Sequence, residues 1–243
     1  MNQIDQINQA GRLTVSRFLH YSVIVLFALC LAVVSAFAPG LAVAEQADDA
    51  QRYYERGAAL LKKGDLAAAS EAAKKAIELN PSSAEAHHLL GVIYFKEKKP
   101  AQAADAFTHA LKLKPAYPDA LNDLAEVYRI RGKSAEAEQA LRRAIEIDPR
   151  HADSYFDLAK LYEQRRDVAS ATKTYQALLA VYPNHREGLY NLALLYEAQG
   201  DSRGARETVG RLLKLDPKNA DAWYLAGRVA EKNNVLDEAA YSY

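Results

Sequence analysis

Along most of this chain, apolar residues return three and four places apart, the spacing that gathers side chains on one face of an α-helix. Leu90 with Tyr94 opens one such stripe, and Leu124 with Tyr128, Leu158 with Tyr162, and Leu192 with Tyr196 repeat it, each pair 34 residues after the last. Small residues hold a second register, at Gly57, Gly91, Ala125, Ala159, Ala193 and Gly227 and again at Ala69, Ala103, Ala137, Ala171, Ala205 and Ala239. Polar turns at Gly64-Asp65, Gly132-Lys133 and Gly200-Asp201 split each period in two, and Pro81, Pro115, Pro149, Pro183 and Pro217 close it. The pattern predicts a first (A) helix, a tight turn, and a second (B) helix that stops before its proline. Repeats then span 50–83, 84–117, 118–151, 152–185, 186–219 and a partial 220–243. The small residues let the two helices of a pair approach closely. Each pair leaves an apolar face that only its neighbour can cover, so the expected architecture is a linear stack.

A 34-residue period carrying Leu90-Gly91, Tyr94, Ala103, Phe107, Ala110, Leu113 and Pro115, with Trp223 at the aromatic fourth place of the last copy, resembles the tetratricopeptide repeat family. The resemblance runs from about Ala50 to the C-terminus. It implies an all-α fold, a right-handed α-solenoid of helix-turn-helix repeats whose concave face, lined by A helices, binds peptides. On that alignment the groove carries Tyr54, His88, Asn122, Phe156, Tyr190 and Tyr224 at the fifth place, and Ala58, Val92, Glu126, Lys160, Leu194 and Arg228 at the ninth. The fifth-place aromatics have no evident packing role within a repeat and suit an amphipathic or extended ligand. At the second place stand Gln51, Glu85, Asp119, Asp153, Glu187 and Asp221, each in the first turn of an A helix, where acidic groups complement the helix dipole and make the groove negative.

Two known variants of the family do not fit. Tyr54, Ala58, Leu89, Asp119 and Asp123 occupy places where the chaperone-binding carboxylate clamp has lysine, asparagine and arginine. The sixth-place asparagine ladder of the O-linked glycosyltransferase repeats is reduced to Asn191 among Glu55, Leu89, Asp123, Asp157 and Leu225. Leu178 and Leu212 stand where the family has a small residue, a change expected to alter local helix packing but not the fold.

Residues 1–44 read differently. Arg12 and Arg17 precede an uncharged run, Tyr21 to Ala44, that ends in Ala42-Val43-Ala44 before Glu45. That order describes an export signal with an A-x-A cleavage site, followed by a short linker over 45–49. The alternative is an uncleaved membrane anchor, since Tyr21 to Ala38 approaches the ~20 apolar residues that span a bilayer, although Pro39-Gly40 would break such a helix. Basic residues before the run and acids after it place the repeats outside the cytoplasm, in the periplasm or secreted, in either case. Cys30, the single cysteine, lies inside the run, so a cleaved chain has no disulfide and no thiolate metal site. Lipidation there fits poorly, because Leu29 takes the place of the small residue such a motif needs.

Lysine plus arginine and aspartate plus glutamate number 31 each, which excludes the basic stripe of a nucleic-acid binder. No catalytic or phosphate-binding motif occurs, and His151 and His185, in equivalent inter-repeat turns, are ordinary polar turn residues before they are metal ligands. The sequence therefore describes a non-enzymatic interaction scaffold with no cofactor or metal. It would bind a protein or peptide segment in the cell envelope, in assembly of a complex such as pili or outer-membrane machinery, and would touch a membrane only if the N-terminal run is retained. The alternative role is an accessory or regulatory subunit of an envelope enzyme system for polysaccharide synthesis or cytochrome maturation. The last B helix, from about Leu236 to Tyr243, is expected to be short, uncapped and the least stable part, open to self-association or to a continuation of the chain.

Overall fold

The computed structural model describes residues 46–232, and no strand occurs among them. Helix α1 occupies 46–63. It is followed by α2 (Leu66–Leu79), α3 (Ala84–Lys96), α4 (Pro100–Leu113), α5 (Pro118–Ile130), α6 (Ser134–Ile147), α7 (Ala152–Gln164), α8 (Val168–Val181), α9 (Arg186–Gln199), α10 (Ser202–Leu215) and α11 (Ala220–Lys232). Odd-numbered helices are the A helices; from α2 onward each helix packs on the next in sequence, and Gly57 of α1 lies against Ala69 and Ala73 of α2. A helices of neighbouring repeats also touch, α3 with α5, α5 with α7, and α9 with α11. The result is the expected right-handed α-solenoid. The export-signal run and the expected last B helix lie outside the described residues, among which no helix is long and apolar enough to cross a membrane.

One boundary differs. Residues 46–49, assigned to a linker, belong to α1. The extra turn is held by Arg52, which donates to Asp48 at 2.6 Å and Asp49 at 3.2 Å, and by Gln46, which donates to the Leu79 carbonyl at 3.0 Å.

Local chemistry sets the helix ends. The side chains of Asp65, Asp167 and Asp201 accept the N–H groups of Ala68, Ser170 and Gly204, capping α2, α8 and α10; each such cap contributes about 1 kcal/mol. Pro100 and Pro118 open α4 and α5, where a missing N–H costs nothing. The turn between A and B helices needs one residue in the left-handed region. Gly64, Gly132 and Gly200 supply it in alternate repeats, whereas Lys98 (φ 60°) and Arg166 (φ 59°) adopt it in the others.

The core runs along the stack between the helix layers. Ala69, Ala103, Ala137, Ala171 and Ala205 are buried where A and B helices meet, and Leu90, Leu124, Leu158 and Leu192 are buried between repeats. Leu178 and Leu212 are fully buried as well. The bulk of Leu178 is accommodated in the next repeat by Gly188, where a Cβ would stand 3.0 Å from the Leu178 Cδ2.

Close approach is most demanding at Gly91, where a Cβ would fall 2.6 Å from two ring atoms of Phe107, itself 1% exposed. Gly91→Ala is therefore expected to destabilise the protein by about 1–2 kcal/mol, overpacking outweighing the ~1 kcal/mol that alanine gains over glycine in a helix. Adding Phe107→Leu should recover most of the loss, because the next repeat pairs Ala125 with Leu141 at the same places. Urea unfolding of the single and double variants checks this; a single variant as stable as the parent would mean that the helices can part without cost.

Candidate functional site

The A helices bring their fifth and sixth places to one face, and the structure uses those places to join repeats. His88 Nε2 lies 2.8 Å from Asp123 Oδ2, and the His88 ring is held between Phe107 and Tyr117 at 5.5 and 4.9 Å. Tyr117 Oη is 3.2 Å from His88 Nδ1. One repeat on, Asn122 Nδ2 donates to Asp157 Oδ2 at 3.0 Å, while its Oδ1 accepts from the buried Ser154 hydroxyl at 3.0 Å. The contacts of His88 with Asp123 and of Asn122 with Asp157 each join the fifth place of one repeat to the sixth of the next, two rungs of a ladder along the groove.

The aromatic members also pack, which corrects the reading that they do no structural work. Tyr54 rests on the first core cluster, and Phe156 and Tyr190 on the central one. Phe156 meets the edge of Tyr175 at 6.0 Å and the ring of His185 at 5.4 Å. Tyr224, at 59% exposure, is the most open of the six. At the ninth place, Glu126 accepts a two-pronged pair of bonds from Arg129, the Lys160 ammonium lies 5.5 Å over the Phe156 ring, and Arg228 donates to Glu197 at 2.9 Å. Glu197 is almost wholly buried between the fifth and sixth repeats and also pairs with Lys232. Those cations, Lys232 foremost, hold its carboxyl below the usual range.

Several groove residues were not singled out from the sequence. In the sequence, Asp123 and Asp157 stand only where the family variants have other residues, and Asn191 only as the one remaining member of the asparagine ladder; the pairing of His88 with Asp123 and Asn122 with Asp157, 35 places apart, comes from the structure. Burial pushes the Asp157 carboxyl up, with the Asn122 bond acting against it. A carboxylate whose folded value is raised stabilises the fold at pH below its unfolded value, near ~4, and that contribution is lost as pH rises through the folded value. Asp157→Asn keeps an acceptor for Asn122 and removes the charge. It should therefore raise the urea midpoint at pH 7 and have little effect near pH 3.5; a lowered midpoint at pH 7 would contradict the assignment.

Two cavities open on this face. One of about 150 Å³ is bounded by Glu126, Arg129, Asp157 and Lys160. The other, about 440 Å³, lies between Phe156, Tyr190 and the carboxylates of Glu187, Asp216 and Asp221. A third, of about 370 Å³, sits on the opposite side between α6 and α8, over Tyr155, Leu158 and Tyr162.

The second-place acids take the role expected from the helix dipole: Glu85, Asp119, Asp153, Glu187 and Asp221 all lie in first turns. Lys114, bonded to Glu85 at 3.0 Å, pulls that carboxyl down, and Asp119 lies 3.1 Å from His151 Nε2. His151 and His185 act as helix caps, their Nδ1 atoms accepting the N–H groups of Ser154 and Gly188. His87 points away from His88 and stacks on His109 at 5.3 Å. No group of three or more potential metal ligands converges among the described residues.

Comparison with known proteins agrees with this architecture. One tetratricopeptide repeat model matches residues 54–118, 96–152 and 190–243, and a second matches 129–195. No curated protein sequence matches the chain. Among solved structures, pilF of Pseudomonas aeruginosa is 24% identical over 82% of this chain and 90% of its own, with a TM-score of 0.72. PilW, a widely conserved type IV pilus biogenesis factor, is 17% identical over 79% and 90%, with a TM-score of 0.66. YrrB, a repeat protein with an unusual peptide-binding site, is 23% identical over 76% and 95%, with a TM-score of 0.57. At these identities the likeness is one of fold.

Proposed function

This chain belongs to the tetratricopeptide repeat family, whose arrays are scaffolds for protein interactions, and on that footing we propose that its concave groove captures a segment of a partner protein in the cell envelope. The observation that carries the reading is the A-helix face from Tyr54 to Tyr224, where the aromatics Tyr54, Phe156, Tyr190 and Tyr224 flank the polar groups of His88 and Asn122 already oriented by the ladder. Such a surface offers apolar anchors and hydrogen-bonding groups at little further ordering cost. The envelope setting is supported by the Arg-flanked apolar run ending in Ala42-Val43-Ala44, and by likeness of fold to pilF and PilW, which also favours the assembly of a pilus or another envelope complex. The role proposed is that of a non-enzymatic assembly factor, exported or anchored with its repeats facing the periplasm.

Photo-crosslinking in cells tests this reading. A crosslinking residue at position 190 or 224 should capture one envelope protein through a defined segment, and the same residue at position 74 or 112, on B helices, should not. Capture from 74 and 112 alone would move the binding surface to the convex side and overturn the proposal.

A further inference from the structure

We propose that the cavity of about 440 Å³ on the groove face is the seat of a lysine or arginine side chain of the bound segment. The proposal rests on the reading that the segment lies in the groove, and it adds the chemistry that the segment must carry. The rings of Phe156 and Tyr190 and the side chain of Leu212 line the cavity, and Glu187, Asp216 and Asp221 give it three carboxylates, against Arg186 in the lining and the Lys160 ammonium over the Phe156 ring. An aliphatic stem ending in a cation suits both features, its methylenes against the rings and its charge among the acids.

Two details bear on whether that seat is open. The Lys160 ammonium already stands 5.5 Å from the centroid of Phe156, so one of these rings accepts a cation in this environment. The Arg186 guanidinium reaches Asp216 only at 4.0 Å, and the Glu187 side chain is 71% exposed with His185 3.7 Å away. These loose, solvated contacts leave the carboxylates able to meet an incoming charge. An acidic side chain in the same place would face three like charges, and an apolar one would desolvate them without compensation. The three carboxylates of the cavity attract a basic side chain before it docks, an effect that salt weakens.

Selection from a display library of short random peptides tests the seat, using the full-length chain as parent, as the double variant Asp216→Asn with Asp221→Asn, and as Tyr190→Ala. The parent should enrich peptides with one fixed lysine or arginine, and the double variant should lose that preference. Replacing the fixed lysine of a selected peptide by norleucine should weaken binding about tenfold, the scale of a partly desolvated cation over an aromatic ring. Peptides that bind the parent, fail on Tyr190→Ala and show no basic preference would overturn the cation seat and leave the groove reading standing. A basic preference retained by the double variant would do the same. Peptides that bind equally to Tyr190→Ala would remove the groove reading and the seat together.

Discussion

Replacing Tyr175, the largest wholly buried side chain among the described residues, by alanine is expected to lower the unfolding free energy of the central repeats by about 4 kcal/mol. Tyr175 is wholly buried on α8. Its hydroxyl donates to Glu163 on α7 at 3.0 Å and accepts from Asn191 on α9 at 2.9 Å. Truncation thus opens a ring-sized cavity and also strands a carboxylate and an amide that had shared one partner. Because stability in such arrays is carried by nearest-neighbour contacts, amide exchange should accelerate most in α7, α8 and α9 and much less in α3 and α4. Tyr175→Phe separates the two contributions and should cost about 1–2 kcal/mol through the hydroxyl alone. Burial raises the Glu163 carboxyl, and the Tyr175 bond partly offsets that rise by favouring the ionised form. The deficit of the phenylalanine variant should therefore be full at pH 7 and shrink as the carboxyl protonates. An alanine variant losing less than about 1 kcal/mol would mean that α8 does not couple its neighbours.

The second large effect concerns binding. Phe156→Ala with Tyr190→Ala should reduce affinity for the captured segment by more than about 2 kcal/mol, roughly thirtyfold, since aromatic anchors commonly dominate such interfaces. The structure adds a qualification to the choice of residues. Phe156 packs on Tyr175 and His185 and Tyr190 on the central core, so the double variant loses stability as well, and Tyr190→Ala alone, with its unfolding measured beside its affinity, separates contact from packing. Lys74 with Lys112 serves as the outer-face control, since Arg142, another basic residue there, donates to Glu138 and to the Tyr162 hydroxyl. Calorimetric titration of the captured segment decides the matter, and equal affinity for the parent and Tyr190→Ala would refute the groove assignment.

Much of the architecture was legible because the repeat is set by sterics that a linear pattern records. Alanine or glycine at two fixed places and proline at a third dictate how close the helices come and where they stop, and the A helices start at Ala84, Pro118, Ala152, Arg186 and Ala220 accordingly. The binding face was legible only in outline. Alignment gives the place of His88 or Asn122 on a helix, but not that its partner is the residue 35 positions on, because that depends on the rotation between repeats. The same limit hid Asp216, a turn residue of one repeat that joins a cavity built mainly by the A helices around it. Linker composition likewise concealed the extra turn of α1, since Asp48, Asp49 and Arg52 read as a charged spacer until their spacing closes ion pairs.

The bonds from His88 to Asp123 and from Asn122 to Asp157 have a mechanical consequence. Each spans a seam, so its length is fixed by the angle between two adjacent repeats, and the groove surface and the curvature of the array are one variable. A ligand that competes for Asp123 or Asp157 must loosen the corresponding seam, and one that bridges neighbouring rungs must tighten it. If the proposed capture holds, those two seams would act as a spring whose pitch follows the bound segment, and segments of equal contact area would be sorted by the bending each demands.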